Sequence, residues 1–172
     1  QGIRLADGVV RQASAKDGVQ VGTEKAWDEA SALGLPKLFF ISKIDEEHSD
    51  YYKVFEQLQE KFGKSVIAFE LPIMENGAMA GIVNVATMKA IRFKGNDLVE
   101  SDIPADMSDT VEKYREGVLE AVAETDEELL DKYFSGETFT QDEILKGLQA
   151  GIKTGDIAPV FCGSAINHAG VK

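Results

Sequence analysis

The chain has 172 residues, 44% of them hydrophobic and 28% charged, which suits one domain or one domain with a substantial insertion. With 30 acids against 18 bases, the net charge of −12 disfavours a broad basic face for a nucleic-acid backbone. No apolar run is long enough to cross a membrane, and the single cysteine, Cys162, cannot form an internal disulfide.

The opening, Gln1-Gly2-Ile3-Arg4-Leu5-Ala6-Asp7, has neither an initiator Met nor a charged-then-apolar leader, and it reads as the interior of a longer chain. Asp7-Gly8 turns into a strand at Val9-Val10-Arg11-Gln12-Ala13. Arg11 and Gln12 do not suit a parallel strand covered on both faces, so an edge-like position is one reading. Ser14 to Gly18 forms the following loop, for which a plain turn built on Asp17-Gly18 is one reading and, by the family resemblance given below, a place near the ligand is the other. Thr23 is placed to cap a helix to about Leu33, with Trp27 and Ala30 inward and Gly34 as its stop.

The run Lys37-Leu38-Phe39-Phe40-Ile41 reads as a buried parallel strand, ending in the polar stretch Ser42-Lys43-Ile44-Asp45. Open α/β sheets bind ligands beyond the carboxyl ends of their strands. Lys43 and Asp45, two apart, project to one side of an extended loop while Ile44 turns inward. A helix follows from about Asp50, with Tyr51, Val54, Phe55, Leu58 and Phe62 as its core stripe and Gly63 as its end. Val66 to Glu70 makes another strand, completing a β-α-β-α-β pattern.

After Leu71-Pro72 the pattern changes. Gly81 to Val85 and Met88 to Ile91 read as short strands too close for a helical crossover, and so as an antiparallel pair. Ser101 to Asp106 is expected to be a loop, and Ser108 to cap a helix to about Thr125 with Val111, Tyr114, Val118 and Val122 inward. Asp126 to Phe134 reads as a short acidic helix, and Thr140 with Glu143 forms a capping box before Ile144, Leu145, Leu148 and Ile152. Ala158 to Cys162 is a second short apolar strand, with Cys162 as a small core residue, and it leads into Gly163-Ser164-Ala165-Ile166.

The chemistry of the first loop suits guanine. An ionised carboxylate only accepts hydrogen bonds, and guanine offers two parallel donors, N1–H and its 2-amino group. Adenine would leave the same carboxylate unpaired, a mismatch that buried polar sites reject by a factor on the order of 10⁴ or more. A lysine stem can lie along a base plane. Ser42-Lys43-Ile44-Asp45 resembles the N-K-x-D motif of GTP-binding proteins, with Ser42 in place of Asn. Ser164-Ala165, with Ile166 after it, resembles the second guanine motif, whose backbone N–H reaches the base O6. The order of strands and their flanking residues is similar to that of the translational GTPases, and elongation factor G most closely, over nearly the whole chain.

That resemblance implies an α/β fold: a partial doubly wound parallel sheet of the P-loop GTPase type with an inserted α+β subdomain. Residues 1–70 and 157–172 would be the C-terminal part of the GTP-binding domain, and residues 71–156 the insertion. It implies GTP/GDP as ligand, with Mg2+ held by residues outside this stretch, and GTP hydrolysis on the ribosome that drives translocation of tRNA and mRNA. Lys43 would stack on the base, Asp45 read its edge, and Ser164 with Ala165 bind O6. The family Asn also braces the phosphate loop, which Ser42 is too short to do while reaching the base, so weaker nucleotide binding is expected. The ribosomal stalk protein is the implied partner of the insertion, whose acidic cluster Glu124, Asp126, Glu127, Glu128 and Asp131 otherwise reads as a solvated helix face. Cytoplasmic localisation follows; neither membrane binding nor direct sequence-specific nucleic-acid binding is expected.

The sequence holds no G-x-x-x-x-G-K-[ST] phosphate loop. Gly147 to Thr154 comes near it, but Ile152 stands where the second Gly belongs and the segment closes a helix. The stretch is therefore expected to carry base recognition without catalysis, and no catalytic residue is assigned. His48 and His168 have no ligand-spaced partners, so no metal site is expected, and Ser164 lacks a nucleophile elbow. Two alternatives are a ribosomal-protection or release-factor paralogue, and an interaction module that keeps the fold without nucleotide.

Overall fold

A computed structural model describes residues 8–15, 18, 21–44, 47 and 49–163. Four strands, β1 (Val9–Ser14), β2 (Lys37–Ser42), β3 (Val66–Ala68) and β8 (Ala158–Cys162), form a parallel sheet in the order β1-β2-β8-β3. Four more, β4 (Glu70–Glu75), β5 (Ala78–Asn84), β6 (Lys89–Lys94) and β7 (Asp97–Ser101), form an antiparallel meander between β3 and β8 in sequence. An α/β parallel sheet with an added antiparallel sheet is the architecture the sequence implied.

Apolar continuity makes the parallel sheet. In β2, Phe39 and Ile41 are fully buried, and in β8 so are Ala158, Val160 and Cys162. Helices α1 (Val21–Ala32) and α2 (Tyr51–Phe62) cover one face, meeting where Trp27 stacks on Phe39 and Phe62 at ring-centroid distances of 5.7 and 4.6 Å. The α2 stripe lies inward as its spacing requires, with Tyr51, Val54, Phe55 and Leu58 buried. Asp50 caps α2 by accepting from Lys53 N–H, and Gly63 ends it at φ 89°. Within the insertion, α3 (Ser108–Ala123), α4 (Glu127–Ser135) and α5 (Gln141–Thr154) follow the second sheet. The capping box of Thr140 and Glu143 is formed in both directions, and Asp126 caps α4.

Several boundaries differ from the sequence reading. Among the described residues β1 is an edge strand, with Val10 67% exposed, so Arg11 and Gln12 sit on a strand that is not covered throughout. Helix α1 begins at Val21, which places Thr23 in its first turn and not at its cap. Ser108 does not cap α3 either. A 3₁₀ turn at Ala105–Met107 runs straight into the helix, and Met107 N–H donates to Pro104 O at 3.0 Å, so the chain is already turning when it reaches Ser108. The second sheet has four strands where two were expected. β4 contains Pro72, which an edge strand tolerates because its missing N–H can face away from the ladder. β7 is exposed along nearly all its length and carries no alternating pattern, and it begins in part of the sequence given no element at all. The strand expected over Val66–Glu70 ends at Ala68, and Glu70 opens β4. Leu145 stands 37% exposed, outside the core formed by Ile144 and Leu148.

Candidate functional site

The strand order decides what can meet. β8 inserts between β2 and β3, and the register pairs Phe39 with Val160 and Ile41 with Cys162. Gly163 N–H donates to Ile41 O at 3.1 Å, one step beyond the last paired residue. Ser42 and Gly163 therefore stand at the same edge of adjacent parallel strands. β1 ends there too: Ser14 pairs with Ser42, and Ala15 N–H donates to Ser42 O at 2.8 Å.

Beyond β2, Lys43 is exposed in the left-handed region at φ 58°, and Ile44 is buried at 4% exposure. Lys43 is exposed and Ile44 buried as expected, but the backbone at Lys43 is left-handed where an extended loop was expected. Ser49 Oγ donates to Ile44 O at 2.5 Å, and Asp50 N–H to Ala15 O at 2.8 Å, which ties the far side of this loop to the end of β1. Asp45, Ser164, Ala165 and Ile166 lie outside the described residues, as do His48, His168 and Asp17.

Ser42 occupies an unexpected environment. Its side chain is buried, its hydroxyl donates to Ala13 O at 3.3 Å, and it accepts from Gln12 Nε2 at 2.8 Å. The hydroxyl is thus engaged by β1. Gln12, which looked out of place in an apolar strand, is explained by this bond. Three residues that the sequence did not single out for the site also gather at this edge. Tyr51 Oη donates to Glu70 O at 2.6 Å, and burial raises its phenol well above the ordinary value. Burial raises the Cys162 thiol, which suits an inert core thiol. Burial also pushes the Glu70 carboxyl up to about 7, against a smaller lowering influence of the Cys162 backbone N–H. The available signal was a lone acid inside the apolar run Val66-Ile67-Ala68-Phe69-Glu70-Leu71.

Among the described residues, Lys43 stands exposed on a loop anchored by the buried Ile44, and no group of His, Cys, Asp and Glu could hold a metal ion. The segment Gly147–Thr154, rejected as a phosphate loop, is helical within α5.

A parallel sheet carrying an inserted antiparallel one defines an α/β domain of the GTPase type. The elongation factor Tu GTP binding domain matches residues 1–172, and the chain belongs to that family of translational GTPases, which bind guanine nucleotides and hydrolyse GTP. Among solved structures, a protein of Thermus thermophilus is 36% identical over 98% of this chain, with a TM-score of 0.87. The match covers 25% of that protein, so this chain spans about a quarter of its length.

Proposed function

We propose that this chain is the guanine-reading part of an elongation-factor-G-like translational GTPase, with residues 1–70 and 157–172 in the nucleotide domain and 71–156 as its inserted subdomain. The observation that carries the reading is the pairing of β2 with β8, Ile41 against Cys162, which brings Ser42 and Gly163 to the same edge. In this reading the Lys43 stem lies on the base plane, Asp45 accepts N1–H and the 2-amino group, and the backbone at Ser164, Ala165 and Ile166 donates to O6. Bound GTP supplies the bond to be hydrolysed. The groups that hold its phosphates and Mg2+ are assigned outside this stretch, so the stretch alone is inactive. The whole protein acts in the cytoplasm on the ribosome, in translocation of tRNA and mRNA or in a related step served by a protection or release factor. The exposed acids Glu124, Asp126, Glu127, Glu128 and Asp131 face a ribosomal partner, the stalk protein.

One observation favours a second reading, an interaction module that keeps the fold without nucleotide. The Ser42 hydroxyl, at the position of the motif Asn, is engaged by Gln12 and Ala13. Calorimetric titration of the full-length protein with GDP and with ADP separates the two. Tight GDP binding without ADP binding is the expected result; binding of neither refutes the guanine-reading assignment and leaves the module.

A further inference from the structure

Among the described residues, three non-glycines stand at positive φ. Asn76 and Met88 lie in the turns that join β4 to β5 and β5 to β6, where the chain reverses. Lys43, at φ 58°, belongs to no hairpin and directly follows the last residue of β2. A Cβ makes this region unfavourable, and a residue stays in it only where its surroundings over-determine the backbone.

Lys43 is clamped from both sides. Ile44 after it is buried, and its carbonyl accepts from Ser49 Oγ. Ser42 before it is buried and held by three hydrogen bonds. Its carbonyl accepts from Ala15 N–H at 2.8 Å, its hydroxyl donates to Ala13 O at 3.3 Å, and the hydroxyl oxygen accepts from Gln12 Nε2 at 2.8 Å. The first two partners are backbone groups, which any residue at those positions supplies. The third is a side chain and so a choice of sequence. In register Gln12 stands opposite Phe40, two residues short of Ser42 and on the same face of the sheet. Its long side chain spans that offset, although Gln12 as a whole is exposed.

We propose that Gln12 is a positioning residue for nucleotide binding: its carboxamide on Ser42 Oγ completes the clamp that holds Lys43 in its left-handed turn. The inference rests on the nucleotide reading above and deepens it. Gln12 acts through Ser42 and needs no contact with the ligand. With the clamp loosened, residue 43 relaxes toward the extended backbone that a side chain prefers. The lysine then leaves the place from which its stem covers a base.

The test uses the full-length protein. Gln12→Met keeps the length of the side chain and removes its donor, Gln12→Ala stands beside it should the Met variant not fold, and Ser42→Ala removes the acceptor. GDP affinity is measured by calorimetry for each, and for Gln12→Met combined with Ser42→Ala, under conditions where urea titration shows the variants folded. The kcat for GTP hydrolysis at saturating GTP is measured alongside. Each single variant should raise the Kd roughly fivefold, the scale of one neutral hydrogen bond. The double variant should bind no more weakly than Ser42→Ala alone, because Gln12 acts only through that hydroxyl. kcat should not change, since the groups assigned to the phosphates lie outside this stretch. Unchanged affinity in the Gln12 variants overturns the proposal. So do effects that multiply in the double variant, and so does a kcat that falls with affinity, which marks general damage to the domain. A wild type that binds no GDP refutes the nucleotide reading and this role with it; a wild type that binds GDP no more tightly than its Gln12 variants refutes the role alone.

Discussion

Replacing Glu70 with Gln should make the protein more stable at pH 8 while changing little at pH 5. The carboxyl titrates at about 7 in the folded protein, against 4.5 for an unperturbed carboxyl, because burial disfavours its charged form. The folded state therefore holds this proton more tightly than the unfolded chain does. Below about pH 4.5 both states are protonated and nothing is lost. Between 4.5 and 7 the unfolded chain has released its proton and the folded one has not, so rising pH favours unfolding; above 7 the loss is complete. Each pKa unit corresponds to about 1.4 kcal/mol, so the full penalty is roughly 3 kcal/mol. Gln carries no charge to desolvate. Urea unfolding at pH 5 and pH 8, at one ionic strength and with equal m-values, reads the difference directly. The stability change caused by the variant should be roughly 2–3 kcal/mol more favourable at pH 8 than at pH 5. An equal change at both pH values would refute the reasoning, because it would mean that Glu70 ionises without hindrance from burial.

Two further substitutions probe the packing that shapes the site. Ser42→Ala removes a hydroxyl that donates to Ala13 O and accepts from Gln12, and should lower stability by about 1–2 kcal/mol, seen as a lower urea midpoint. An unchanged midpoint would mean that neither bond contributes. In β5, a Cβ on Gly81 would stand 2.3 Å from the Ile91 carbonyl oxygen, a backbone atom of the paired strand β6. Gly81→Ala should therefore cost roughly 1–3 kcal/mol or more and lower the melting temperature by several degrees, whereas a melting temperature within error of the wild type would show that the strands separate freely.

Elements that declare themselves through local chemistry were legible in the sequence. Asp50 and Gly63 bracket α2, Thr140 and Glu143 open α5, and the apolar runs of β2 and β8 have no alternative to burial. The exposure of Lys43 and the burial of Ile44 were expected, but from an extended loop; the left-handed turn at Lys43 has no signal in the sequence. Features that depend on distant neighbours were not. Pro72 argues against a strand unless that strand is known to lie at an edge, and β7 carries no pattern because little covers it. The 3₁₀ turn before α3 replaced a cap that Ser108 was well placed to provide. At the site, the partners of Ser42 follow from which strands are neighbours. Nothing local to Val66–Leu71 says that β8 will return beside β3.

Where the two sheets meet, Phe69 N–H donates to Val160 O at 3.1 Å and its carbonyl accepts from Val85 N–H at 3.0 Å. Phe69 alone stands between the last residue of β3 and the first of β4, and it is bonded to both sheets, with its ring 5.0 Å from that of Phe161. The crossing between the sheets is thus a single residue held from both sides. The crossing therefore holds the start of the antiparallel meander against β8 at Val160, two residues before the end of that strand at Cys162.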